Sequence, residues 1–197
     1  MAPTLEIEKS LGGIVCGIDE AGRGPWCGPV VAAAVIVSPN LIAGINDSKK
    51  LSEKKREELY EQIIATCSYG IGQASVDEID SLNILGATKL AMLRAFEALP
   101  LKPEFALIDG NQLPNLPCKM QYVIKGDSVS YSIAAASIIA KVTRDRGVKE
   151  LAAEFPEYKW HSNKGYGTKC HMEAIEKYGI TPHHRKSYAP IRKFLAS

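Results

Sequence analysis

No stretch of this 197-residue sequence is apolar for long enough to span a bilayer. Its most apolar run, residues 30–37, is far shorter than the ~20 residues a membrane helix needs. The opening Met1-Ala2-Pro3-Thr4-Leu5-Glu6 lacks the basic start and apolar core of a secretory signal, so a cytoplasmic location is expected. The five cysteines, Cys16, Cys27, Cys67, Cys118 and Cys170, are odd in number and contain no C-x-x-C pair. That argues against a disulfide frame and leaves reduced, mostly buried thiols. Cys170, His171, His183 and His184 are too irregularly spaced for a structural zinc site. Two nucleotide fingerprints are also missing. Gly22-Arg23-Gly24-Pro25-Trp26-Cys27-Gly28 carries Cys27 where G-x-G-x-x-G needs its third glycine, and no G-x-x-x-x-G-K-[ST] occurs. These absences argue against a dinucleotide oxidoreductase and a P-loop NTPase.

What is present is an ordinary globular composition, 46% hydrophobic and 23% charged, in a length that suits one domain. The net charge of +2 conceals an asymmetry. Residues 158–193 hold eight Lys or Arg, only two Glu, and all four histidines. Such a stretch suits a polyanion, with Trp160, Tyr166, Tyr178 and Tyr188 available to stack on sugars or bases. A solvated basic face is the alternative.

Hydrophobic periodicity predicts strands at 14–20 and 30–37, joined as a hairpin through a Gly/Pro-rich turn at 22–29. Ser52 is placed to cap a helix over 53–66. A third strand is expected at 69–76 and a helix at 82–99, stopped by Pro100. Short strands follow at 104–108 and 122–124. Asp127 or Ser128 is then expected to cap a helix running to about residue 151, with Ile133, Ala136, Ile139 and Ala140 facing inward. A last helix covers 168–178 and stops at Gly179. Three early strands followed by alternating elements indicate an α/β domain with a mixed sheet.

The chemistry concentrates in Gly17-Ile18-Asp19-Glu20-Ala21-Gly22-Arg23-Gly24-Pro25. Two acids stand in an apolar segment, where an uncompensated charge costs several kcal/mol or more. A bound cation is an economical compensation. An arginine between glycines suggests backbone approaching an anion closely. Neighbours on a regular strand face opposite ways, so Asp19 and Glu20 share a site only if the strand ends or bulges there. Asp109 ends an apolar strand before Gly110, and Asp127 precedes a helix. In isolation these read as a turn pair and a helix cap. Their common placement at strand ends and helix starts raises all four, because α/β sheets gather ligands there. If they converge, their all-oxygen donor set suits Mg²⁺ or Mn²⁺. Two such ions about 4 Å apart can clamp a phosphodiester. Tyr166, bracketed by glycines in Lys164-Gly165-Tyr166-Gly167-Thr168, is available to lie against a sugar or base, or to cover the core. His183-His184-Arg185-Lys186-Ser187 offers phosphate donors, or is a polar tail.

At this point the chain resembles the bacterial type 2 ribonucleases H over nearly its whole length. The resemblance rests on Gly17-Ile18-Asp19-Glu20-Ala21-Gly22-Arg23-Gly24-Pro25, on Gly28-Pro29-Val30-Val31-Ala32-Ala33 and on Asp47-Ser48-Lys49-Lys50-Leu51-Ser52. It continues through Ile108-Asp109-Gly110, Lys125-Gly126-Asp127-Ser128 and Ala135-Ala136-Ser137-Ile138-Ile139-Ala140-Lys141-Val142-Thr143-Arg144-Asp145. It closes with Lys164-Gly165-Tyr166-Gly167-Thr168 and His184-Arg185-Lys186-Ser187-Tyr188, where the family often has Phe in place of Tyr188. The resemblance implies a ribonuclease H-like fold: a five-stranded mixed sheet flanked by helices, in one catalytic domain over 1–197. Residues from about 150 to 197 would form a basic C-terminal helical extension. It implies that Asp19, Glu20, Asp109 and Asp127 bind two divalent ions, Mg²⁺ or Mn²⁺. The implied substrates are RNA/DNA hybrids and duplex DNA containing single ribonucleotides, incised on the 5′ side to leave 3′-hydroxyl and 5′-phosphate ends. Backbone groups of Gly22, Arg23 and Gly24 would read the ribose 2′-hydroxyl, and Tyr166 would pack at the ribose–deoxyribose junction. Lys49, Lys50 and Arg185 would hold duplex phosphates. A monomer without an obligate protein partner is expected. Two rival readings remain: a non-catalytic hybrid-binding protein, and a metal-dependent phosphohydrolase of small molecules.

Overall fold

The computed structural model describes residues 2–196. A short helix α1 (Glu6–Leu11) leads into β1 (Val15–Ala21) and β2 (Val30–Ile36). Helix α2 (Glu53–Thr66) and β3 (Ser68–Ala74) follow, then α3 (Val76–Glu97), β4 (Phe105–Asp109) and β5 (Lys119–Val123). The long α4 (Tyr131–Glu154) precedes α5 (Trp160–Asn163), α6 (Lys169–Tyr178) and α7 (Ala189–Leu195). The sheet order is β3-β2-β1-β4-β5. β1 pairs antiparallel with β2 and parallel with β4, so the sheet is mixed, as expected. No helix among the described residues is long and apolar enough to cross a membrane.

Each central strand buries both faces, which is why its sequence reads as a continuous apolar run. Cys16, Ile18, Ala32 and Ile108 pack with α3 on one face. Ala33 and Val35 pack with α2 and α4 on the other. Fully buried isoleucines such as Ile18, Ile108 and Ile133 each contribute ~1.5–3 kcal/mol to this core. α4 crosses β1 at very short range. A Cβ at Gly17 would lie 2.2 Å from the Ser132 carbonyl carbon, so only glycine fits there. That contact ties the start of α4 to the strand carrying Asp19.

Four boundaries differ from expectation. α4 is capped by Ser130, whose hydroxyl accepts from Ile133 N–H, and not by Asp127 or Ser128. Residues Gly126–Ser128 form a separate 3-10 turn, which frees the Asp127 side chain. α3 starts at Ser75, in a reciprocal capping box with Glu78, and kinks at Asn83 (φ 58°). β5 is an edge strand beginning at Lys119, earlier than its apolar residues indicate. α4 runs unbroken through residue 150, so the C-terminal helices begin only after Glu154. Those helices have their own apolar cluster, built on Trp160, Tyr158, Ile175 and Ile191 with Cys27 of the 22–29 loop.

Candidate active site

β1 is regular to its end. Asp19 lies opposite Ala33 and Glu20 opposite Ala32 on β2, with no bulge. The two acids therefore face opposite sides of the sheet. β1 also outruns β4, whose pairing with it stops at Ile18↔Ile108. Asp109, at the end of β4, thus comes beside Asp19 at the carboxyl ends of these two central strands. Its Oδ1 accepts from Gly126 N–H at 2.6 Å, which draws the 126–128 turn onto the strand end. Asp127 arrives with that turn. Ligand oxygens of Asp19, Asp109 and Asp127 all lie within 4.8 Å of one another.

Glu20 is outside this triplet. Its Oε1 is 3.2 Å from Arg23 Nη1, and it lines a small cavity on the α3 side together with Arg23, Lys89, Met92 and Asp109. The four acids still act on one another. Burial first, then the charges of Glu20 and Asp109, push the Asp19 carboxyl well above the usual carboxylate range. Burial also raises Glu20, against the pull of Arg23, and raises Asp127 with help from Asp109 and Asp47. Two ionised carboxylates at such distances repel by at least ~3 kcal/mol at an effective dielectric near 20. Lys49 Nζ, 3.7 Å from Asp127 Oδ2, is the cation beside the triplet and is mostly exposed. Burial lowers the Lys49 amine's proton affinity, but Asp127, Asp19, Asp47 and Asp109 together outweigh it and hold the charge. One lysine does not neutralise three carboxylates. An all-oxygen, over-charged, half-enclosed donor set fits a hard divalent cation.

A groove of about 300 Å³ opens beside Asp19, lined by residues 19–24, Ser48, Lys49, Ser137, Lys141 and Tyr166. The backbone at 22–24 is set from beneath by Arg185, which is fully buried. Its Nη2 donates to Gly22 O (2.6 Å) and Pro29 O (3.2 Å). Its Nη1 donates to Arg23 O and its Nε to Gly28 O, both at 2.9 Å. The Tyr188 hydroxyl adds a further bond to Arg23 O. In a trans peptide the N–H points away from the preceding carbonyl. With the Gly22 and Arg23 carbonyls turned toward Arg185, the N–H groups of Arg23 and Gly24 turn away from it. Gly22 sits at φ 94°, with Arg144 and Pro29 O within 3.2 Å of where its Cβ would be, so both torsion and space require glycine.

The expectation that Arg185 holds a phosphate is therefore corrected. It has no exposed surface, and backbone carbonyls take its donors. Lys50 is also partly committed, donating to Ser128 Oγ at 2.9 Å and pairing with Asp47. Tyr166 is 45% exposed and lines the groove. Ser137 was not singled out from the sequence, yet it lines the groove beside Asp19 and meets Ser48 Oγ at 2.8 Å. A lone serine on the inward Ile/Ala face of α4 was the available signal. His171 and His184 face each other ring to ring in the C-terminal cluster.

Comparison with solved structures gives the class. Ribonuclease H2 from Pyrococcus horikoshii OT3 matches with a TM-score of 0.76 and 28% identity, over 91% of this chain and 96% of that one. This sheet, with carboxylates gathered at the ends of its central parallel strands, defines a metal-dependent nuclease of the ribonuclease H type. Sequence relatives narrow the class. A protein of Magnetococcus marinus called Ribonuclease HII is 57% identical over 203 residues, covering 98% of this chain and 95% of its own. Another, from Wolbachia pipientis subsp. Culex pipiens, is 55% identical over 192 residues, covering 96% and 98%. The Ribonuclease HII family model matches residues 16–191, and the chain belongs to that family. It is a metal-dependent endoribonuclease acting on RNA paired with DNA.

Proposed function

We propose that the chain also incises duplex DNA on the 5′ side of a single embedded ribonucleotide, leaving 3′-hydroxyl and 5′-phosphate ends. The observation that carries this reading is the Asp19–Asp109–Asp127 triplet opening onto the groove beside the 22–24 backbone. Asp19, Asp109 and Asp127, with Glu20 as the fourth acid, would hold two Mg²⁺ or Mn²⁺ ions. Such ions, when bound, activate water and stabilise the leaving oxygen of a phosphodiester.

The chain's own residues position the substrate. The outward N–H groups of Arg23 and Gly24 offer donors to a ribose 2′-hydroxyl, the atom that separates RNA from DNA at one nucleotide. Tyr166 presents its ring across the same groove, with Cε1 3.3 Å from where a Gly24 Cβ would stand, closer than ordinary van der Waals contact. Lys49 offers an exposed charge to a phosphate beside the triplet. Lys50 contributes chiefly by holding Ser128 and so the turn that carries Asp127. Residues 1–197 act as one catalytic domain, with the basic helices after α4 extending the duplex-binding face. Five free cysteines support a reducing, cytoplasmic setting.

The test is a DNA duplex carrying one ribonucleotide, incubated with Mg²⁺, Mn²⁺ or chelator beside an all-DNA control. Metal-dependent incision 5′ to the ribonucleotide, with the control intact, is the expected result. Cleavage of long hybrids without incision at a single ribonucleotide would refute the reading.

A further inference from the structure

His171 and His184 are both fully buried, and fixed donors around them determine both tautomers. The Trp160 indole N–H donates to His171 Nε2 at 3.0 Å, so that nitrogen is an acceptor. His171 Nδ1 must then carry the proton, and it meets the Tyr166 carbonyl oxygen at 2.9 Å. On the other ring, Thr181 N–H donates to His184 Nδ1 at 2.9 Å, leaving the proton on Nε2. That proton points at His171 Nε2, 3.1 Å away. Every ring nitrogen is thus paired with both imidazoles neutral. Burial also favours the neutral forms, lowering His171 and bringing His184 down to about 4.

The chain of bonds runs from Thr181 through both rings and ends on the backbone of Tyr166. Thr168 N–H also donates to that carbonyl at 2.8 Å, and the loop is further tied by Trp26 N–H on Gly165 O (2.8 Å) and Tyr166 N–H on Asn163 O (2.9 Å). His171 is itself anchored, because its own N–H donates to the Thr168 hydroxyl that caps α6. Trp26 closes the other side. A Cβ at Gly167 would fall 2.0 Å from the Trp26 ring, so residue 167 has no freedom to let the loop slide.

We propose that His171 is a positioning residue for substrate selection: its Nδ1–H bond to the Tyr166 carbonyl, backed by His184, fixes the 164–168 loop and hence the Tyr166 ring in the groove. This inference rests on the reading of Tyr166 as the residue packed at the ribose–deoxyribose junction. A long RNA/DNA hybrid offers many cleavable ribonucleotides, whereas a single ribonucleotide must be placed in one register. Loosening Tyr166 therefore penalises the single-ribonucleotide substrate more.

Two amide substitutions separate this role from mere packing. The asparagine amide nitrogen falls close to the position of histidine Nδ1, and the glutamine amide close to Nε2. His171→Asn keeps a donor toward Tyr166 O and loses the acceptor for Trp160 and His184. His171→Gln keeps that acceptor and loses the bond to Tyr166. The measurement is kcat/KM on the single-ribonucleotide duplex divided by kcat/KM on a long hybrid, with thermal melting as the measure of packing. Loss of one hydrogen bond corresponds to roughly a five- to tenfold effect. His171→Gln should lower the ratio by about that factor. His171→Asn should keep the ratio near the parent value even where it melts earlier. Tyr166→Ala sets the full scale of the effect. A lowered ratio in Tyr166→Ala with a parental ratio in His171→Gln overturns this inference alone. An unchanged ratio in Tyr166→Ala overturns the junction reading and this inference with it. Ratios that follow melting temperature across both His171 variants reduce His171 to packing and also overturn it.

Discussion

Replacing Arg185 by lysine separates two roles for a basic residue in this motif: grip on a phosphate, or support of a loop. The guanidinium makes five bonds, four to the carbonyls of Gly22, Arg23, Gly28 and Pro29 and one to the Tyr188 hydroxyl. Lysine has three donors on one nitrogen and cannot span carbonyls spread around the guanidinium fork, so at least two of the five bonds are lost, while Arg23 O keeps the Tyr188 hydroxyl. Each buried acceptor left unmet costs about 1–3 kcal/mol, or roughly 2–6 kcal/mol together. For a domain of this size that corresponds to a fall in Tm of roughly 5–20 °C. A freed Gly22 carbonyl and an Arg23 carbonyl held only by the Tyr188 hydroxyl would loosen the N–H groups of Arg23 and Gly24, so kcat/KM on a single-ribonucleotide duplex should fall. The salt dependence of duplex binding should not change, because a buried guanidinium displaces no counterion. Thermal denaturation followed by circular dichroism, beside a binding series in salt, reads both effects. An unchanged Tm with weakened binding to every duplex would put Arg185 on a phosphate, where lysine loses the bidentate contact and keeps the charge, and would refute the argument.

Other outcomes follow from the same geometry. Lys49→Ala should weaken duplex binding at low salt and make the salt slope shallower by about one, since its amine is largely exposed beside the acid triplet; an unchanged slope would remove it from the phosphate contacts. The raised acids set a pH dependence of stability. Asp19, Glu20 and Asp127 bind protons more tightly in the folded chain than ordinary carboxyls do, so their own contribution to the metal-free protein's stability is fully present in acid and is lost as pH rises through those raised values, while the buried neutral His171 and His184 contribute in the opposite sense. Mn²⁺ should restore melting temperature at neutral pH and do little in acid. Asp19→Asn removes one of these acids, and a metal-free Asp19→Asn protein that gains no stability over the parent between pH 4 and 7 would contradict the cluster's electrostatics.

The central strands β1, β2 and β4 were legible because they are buried on both faces and their apolar runs are bounded by glycine, proline or polar turns. The helix over 53–66 was legible from Ser52 alone, which caps it as expected. Errors arose where a short-range signal had two uses. Asp127 resembles a helix cap, yet its turn is pulled onto Asp109 by a contact 17 residues away, and Ser130 does the capping. Ser75 and Glu78 spell a capping box, but Val76 continues the apolar pattern of β3, and the Asn83 kink hides the first turns of α3. In the site, the acids and glycines could be named from local pattern, while their grouping depended on β1 outrunning β4. Arg185 shows the limit most clearly. Nothing local distinguishes an arginine on a phosphate from one buried among four carbonyls, because the loop it supports is more than 150 residues away. Tyr188, where the family often has Phe, gains a purpose only in the fold, through its hydroxyl on Arg23 O and Arg185.

Asp109→Asn tests the central claim that the carboxylate triplet is the metal centre. Asparagine keeps an oxygen for the Gly126 N–H bond, so the chain should fold and melt at or above the parental temperature without metal. Mn²⁺ binding by calorimetry and hybrid cleavage should be measured on the same preparation. The account predicts folded protein with severely weakened Mn²⁺ binding and nearly all cleavage lost. Parental Mn²⁺ affinity together with near-normal turnover would place the catalytic metal elsewhere and contradict it.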